Sequence, residues 1–217
     1  MERSWSPCIS PLFELLKVNA MFTFNVIRHI ALLCVGIMSS VAWAHMDGNS
    51  LHDHATFTAG LMHPFSGLDH LAAMVAVGVW SAMRFRHGWF APVVFVIAMV
   101  VGIVVGMEGF NHAAIEPMVA ASVMLMGVLV AYRHALSVGG ALAMVAGFGL
   151  CHGATHGLAL EGTQTVAPVL GMVVATAMLH AFGVYAGYWA KEKSLWLQRV
   201  FGAGFALLGL ALLSRFA

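Results

Sequence analysis

The stretch "LMHPFSGLDHLAAM" (residues 61–74) sets two histidines, an aspartate, a serine and a proline among residues otherwise suited to lipid. An ionisable side chain inside a membrane span costs about 2.5–3.5 kcal/mol on insertion scales, so its placement there points to function. The surroundings justify the membrane reading. The chain has 217 residues, 61% hydrophobic and 9% charged, where ordinary globular chains carry about 25% charge. Its apolar runs each match the roughly 20 residues of helix that cross a bilayer core. The fold class that follows is an all-α membrane protein. The basic residues form no stripe suited to nucleic acid, and no Gly-rich phosphate loop is evident. The lipid bilayer is the expected partner; nucleic acid is not.

The N-terminal region reads as a leader. "MFTFNVIRHIALLCVGIMSSVAWAHMDG" (21–48) has a basic start at Arg28 and His29, an apolar run from Ile30 to Met38, and then Ala42-Trp43-Ala44. That is the layout of a cleavable secretory signal. Residues 1–44 are expected to be leader, with the signal peptide at 21–44 and an upstream extension at 1–20. Cleavage after Ala44 would remove Cys8 and Cys34, leaving Cys151 without an intramolecular partner. It would also leave a polar tail, 45–57, in which His45, Asp47, His52 and His54 can chelate a metal together with a free amine.

From residue 58 to 217 the pattern predicts a domain of six transmembrane helices, at about 58–82, 89–108, 117–132, 137–160, 166–190 and 195–216. Short connections predict that consecutive spans pack antiparallel. Arg84, Arg86, Arg133, Lys191, Lys193 and Arg199 all fall at one end. Basic residues mark the cytoplasmic end. Glu108, Glu116 and Glu161 fall at the other, so both mature termini are expected to be periplasmic.

The polar groups inside the spans follow helical spacing. His63 and His70 lie about 20° apart on one face of the first span, with Asp69 beside them. Pro64 lacks a backbone donor and disfavours helical geometry at His63, so a kink or a helix start is expected there, with Gly67 adding freedom. Broken helices occur at membrane depth where they line a cavity. In "CHGATHG" (151–157), His152 and His156 stand i, i+4, the separation that lets two imidazoles share one metal ion. His180 adds a further imidazole on the fifth span, and Glu161 closes the fourth. With about 1.5 Å rise per residue, His156 and His63 come within about 8 Å of the outer edge. His152 and His70 lie deeper, and His180 is about 21 Å in. This is a ladder rather than one closed cage. Imidazole with carboxylate suits borderline divalent ions such as Ni²⁺, Co²⁺, Zn²⁺ and Cu²⁺, and a transport site must both strip hydration and release the ion. The candidate ligands are thus His63, Asp69, His70, His152, His156 and His180, with Glu161 a further candidate at the outer end.

Two functions fit these residues. One is a metal permease. The other is an intramembrane zinc-dependent hydrolase, in which the same His/Asp cluster holds Zn²⁺ and a bound water attacks. A haem protein would need axial histidines with nothing else polar, and Asp69 argues against it.

The sequence resembles the HupE/UreJ family of nickel/cobalt permeases. An H-x5-D-H pattern is matched by His63, Asp69 and His70 in "HPFSGLDH", and a pattern close to F-H-G-x-x-H-G-x-E by His152, Gly153, His156 and Gly157. Cys151 stands where the family has Phe, and Ala159 where it has Glu; Glu161 lies two residues later. The resemblance implies a secondary permease of the bacterial inner membrane. It would take Ni²⁺ or Co²⁺ from periplasm to cytoplasm as cargo, with no prosthetic group.

Overall fold

The computed structural model describes residues 56–110, 112–132, 136–160 and 166–216. The expected leader, the tail histidines and acids at 45–54, and Glu161 lie outside these. The described residues form seven α-helices: α1 Phe57–Ser66, α2 Leu68–Arg84, α3 Phe90–Met107, α4 Ile115–Tyr132, α5 Val138–Ala159, α6 Ala167–Lys191 and α7 Leu195–Leu213. Among the described residues there is no strand. The last five helices are each long and apolar enough to cross a membrane, and α1 and α2 pass the same test as a pair bent by 85°.

Polar caps set several boundaries. The hydroxyl of Thr56 accepts from the Ala59 amide at 3.1 Å, and that of Ser137 accepts from Gly140 at 3.1 Å. Each satisfies an amide that the first helical turn leaves without a partner.

The break in the first span falls at Gly67, not at His63 or Pro64. Pro64 is helical and buried within α1. Gly67 is extended, with φ −111° and ψ 121°, values open to any residue. Its lack of a side chain is what matters: a Cβ there would lie 2.6 Å from Asp69 Oδ1 and 3.1 Å from His70 Nδ1. The polar side chains of the next turn fold back over the one residue that leaves them room.

Consecutive spans, expected to pack antiparallel, are not the main neighbours. The principal pairings are α3 with α5, α4 with α7, and α6 with both α1 and α2. Glycines select them. Gly102 and Gly106 of α3 meet Gly153 and Gly157 of α5. Gly78 of α2 lies against His180, Gly183 and Val184 of α6, and Gly127 of α4 lies against Gly202 and Ala206 of α7. In lipid, helix association depends on close packing rather than on water exclusion, so small-residue stripes decide partners. In the first two pairings residue numbers rise together, so those helices run parallel; α4 and α7 run antiparallel.

One end of the bundle gathers the basic loops. Arg84 Nη2 donates to the Leu136 carbonyl at 2.8 Å, and Lys191 Nζ to the Ala82 carbonyl at 3.5 Å. These contacts tie the α2–α3, α4–α5 and α6–α7 connections together at that end. Trp89, Tyr132, Tyr188, Trp189 and Trp196 are exposed there, the aromatic belt expected at a membrane interface. The outer faces are apolar, as along Val93, Ile97, Val101 and Val104 of α3.

Candidate metal centre

Four imidazoles from three helices meet toward the end opposite the basic loops. The rings of His63 on α1 and His156 on α5 are edge to face, with centroids 4.9 Å apart. His70 on α2 stands 4.7 Å from His156 and 5.3 Å from His152. The bend at Gly67 makes this possible, because it carries His63 and His70 on separate axes toward the same two α5 rings.

The rings differ in how they are held. His70 Nδ1 lies 2.9 Å from Asp69 Oδ1, and the same oxygen accepts from the His70 backbone amide at 2.9 Å. Asp69 sits in the first turn of α2, where a carboxylate is favoured by the helix dipole. A carboxylate bonded to Nδ1–H fixes the tautomer of the neutral ring and turns Nε2 outward, as around metal-ligating histidines. His70 Nε2 is 3.2 Å from Thr155 Oγ1. In His152, Nδ1 donates to the Phe148 carbonyl at 2.8 Å, and in His180 Nδ1 donates to the Thr176 carbonyl at 2.9 Å. Both neutral rings therefore carry their lone pair on Nε2, and neither Nε2 has a hydrogen-bond partner. His156 is fully buried with both nitrogens unpartnered. Buried polar atoms are normally paired, so an orphan requires an explanation. Four such atoms lie on His152, His156 and His180, and the lone pairs among them can be taken up by a cation.

Accessibility falls along the series. Asp69 is 35% exposed and His70 16%, whereas His152, His156 and His180 are buried. His180 does not join the other four. The fully buried ring of Phe95 stands between, 5.2 Å from His152 and 5.0 Å from His180. Beyond it the core is apolar, with Met74, Val77 and Trp80 buried.

Among the described residues, no three His, Cys, Asp or Glu side chains converge as a ready-made metal cage. The rings touch in succession instead. His87 and His112 are exposed and stand apart from the cluster. Cys151 points to Met118, with its sulfur 3.9 Å from the thioether, and Met74 is core. Phe95 and Thr155 are the two residues of this centre that sequence reasoning did not single out. Thr155 was visible as the one hydroxyl inside "CHGATHG"; a phenylalanine in an apolar run gives no signal.

A family model described as HupE / UreJ protein matches residues 32–212. The chain belongs to the HupE/UreJ family. Protein HupE of Rhizobium leguminosarum bv. viciae is 38% identical over 179 residues, which cover 81% of this chain and 92% of that protein. No solved structure matches. Family membership covers all of the helices that build the centre, and the two histidine motifs that carried the resemblance are the two that meet in it.

Proposed function

We propose that this HupE/UreJ member is a permease that carries Ni²⁺ or Co²⁺ from periplasm to cytoplasm along an intramembrane His/Asp pathway. One observation carries the reading: neighbouring imidazoles from α1, α2 and α5 in ring contact, with unpartnered nitrogens on the two α5 rings, inside an otherwise apolar bundle. An ion enters between His63 and the Asp69–His70 pair, moves to His156 and His152, and reaches His180 past Phe95. Each step exchanges one imidazole for the next, so no position holds the ion in a closed shell. The basic end with its aromatic belt is cytoplasmic, and the half-exposed Asp69 end faces the periplasm.

The hydrolase alternative needs three protein ligands around one zinc and a carboxylate left over as acid and base. Among the described residues the ring arrangement supplies no such triad, and the Asp69 carboxylate is engaged by His70. The relay is favoured for that reason.

The test is uptake of radiolabelled Ni²⁺ and Co²⁺ by cells expressing the wild type or His152→Ala. Uptake above background in the wild type and its loss in the variant is expected. An active wild type with unchanged uptake in the variant takes His152 out of the pathway. A tightly held stoichiometric zinc with lipid-cleaving activity would replace the permease reading by the hydrolase.

A further inference from the structure

We propose that the Thr155 hydroxyl is an oxygen ligand to the cation held by His70 Nε2, and so helps set which divalent ion is accepted. The inference deepens the permease reading and rests on it. Thr155 lies on α5 between His152 and His156, half-buried, on the side facing His70.

Its hydroxyl has a single hydrogen, already donated to the His152 carbonyl at 2.7 Å. Toward His70 it therefore presents lone pairs. His70 does the same, because Asp69 takes the Nδ1 hydrogen and leaves the Nε2 lone pair in the neutral ring. In the Nδ1–H tautomer that Asp69 favours, two acceptors face each other across 3.2 Å. A cation completes that arrangement.

The distance fits one. With metal–ligand bonds of about 2.1 Å, adjacent ligands on a six-coordinate ion lie about 3.0 Å apart, and those on a tetrahedral ion about 3.4 Å. The observed 3.2 Å falls between, which is the separation of two ligands on one ion. A neutral oxygen beside imidazole also disfavours the softest ions relative to a thiolate at that place.

The experiment measures Ni²⁺ uptake kinetics and Cd²⁺ competition in cells expressing the full chain as wild type, Thr155→Ser, Thr155→Val or Thr155→Cys, each normalised to membrane-embedded protein. Thr155→Ser keeps the oxygen, and its KM is expected within about twofold of wild type. Thr155→Val is expected to raise KM about tenfold with Vmax per protein little changed, as for a lost metal contact. Thr155→Cys is expected to strengthen Cd²⁺ competition about tenfold, because a sulfur ligand prefers soft ions. A purely structural hydroxyl would not change the order of ions.

A wild type that takes up neither Ni²⁺ nor Co²⁺ overturns the permease reading and this inference with it. An active wild type whose Thr155→Val has an unchanged KM overturns the Thr155 assignment alone. A Thr155→Val defect with unchanged Cd²⁺ competition in Thr155→Cys reduces the hydroxyl to a hydrogen-bonding role and also overturns it. Should the valine variant fail to insert, the serine and cysteine variants decide the matter by themselves.

Discussion

The ring of His63 meets that of His156 edge to face, with centroids 4.9 Å apart, although one residue sits on the short, bent-away helix α1 and the other near the far end of α5. His156 is the more exceptional partner. It is fully buried and neither nitrogen is bonded, so the fold gains nothing from its polarity.

That gives a signature separating function from folding. An unsatisfied buried polar group costs about 1–3 kcal/mol. His156→Leu keeps the approximate volume and removes that cost. Uptake of Ni²⁺ and Co²⁺ is expected to be lost, while thermal stability in detergent stays the same or rises by up to about 2 kcal/mol. A variant that loses uptake and also unfolds early would show that the imidazole is structural.

Gly67 controls the Asp69–His70 pair from outside it. Its backbone is ordinary, so alanine brings no conformational strain. The added Cβ would instead press on Asp69 Oδ1 and His70 Nδ1. Carboxylates that orient metal-ligating histidines are typically worth 10–100-fold in affinity or activity, so Gly67→Ala is expected to lower uptake by roughly tenfold at normal protein levels. Uptake kinetics beside an immunoblot check this, and wild-type kinetics would mean that the carboxylate moves without consequence.

How much of this was legible beforehand follows from the kind of signal each residue gives. His63, Asp69, His70, His152 and His156 stand out because ionisable groups are expensive in an apolar chain and because their spacings follow a helix. Pro64 misled: its missing donor is tolerated inside α1, and the bend lies at Gly67, where side chains rather than backbone require the space. The pairing of helices was hidden for a different reason. Gly102 and Gly106 show that α3 has a close-packing face, but nothing within α3 says that the partner face is on α5 rather than on α4. Phe95 inherits that problem, since its place between His152 and His180 exists only once α3, α5 and α6 are assembled.

Phe95 separates two imidazoles prepared in the same way, each with Nδ1 bonded to its own helix and Nε2 unpartnered. On the proposed route an ion moving between them would have to pass this ring, and apolar constrictions can gate by excluding water. Phe95→Leu conserves much of the volume, at a cost usually below about 1.5 kcal/mol, but removes the flat septum. Uptake is expected to persist while discrimination between Ni²⁺ and Mn²⁺ falls about fivefold, the loss that a loosened constriction would produce. Competition assays read this directly. Unaltered discrimination would assign the ring to packing.

The α3–α5 interlock offers a test of the fold without touching any candidate ligand. A Cβ on Gly153 would collide with the Met99 carbonyl and with Gly102 of α3, backbone atoms that cannot turn aside as a flexible side chain would. Forcing extra volume into a packed interface costs about 1–3 kcal/mol, and here the two helices must separate along a stripe that also includes Gly106 and Gly157. Gly153→Ala is therefore expected to lower thermal stability by that amount. It is also expected to reduce uptake, because His152 is carried on the displaced turn. Gly139 provides the control: a Cβ there meets nothing within 4 Å, and Gly139→Ala lies on the same helix. Gly139→Ala is expected to leave both stability and uptake near wild type. Equal behaviour of the two variants in a thermal melt would mean that α3 and α5 are not held together by this glycine stripe.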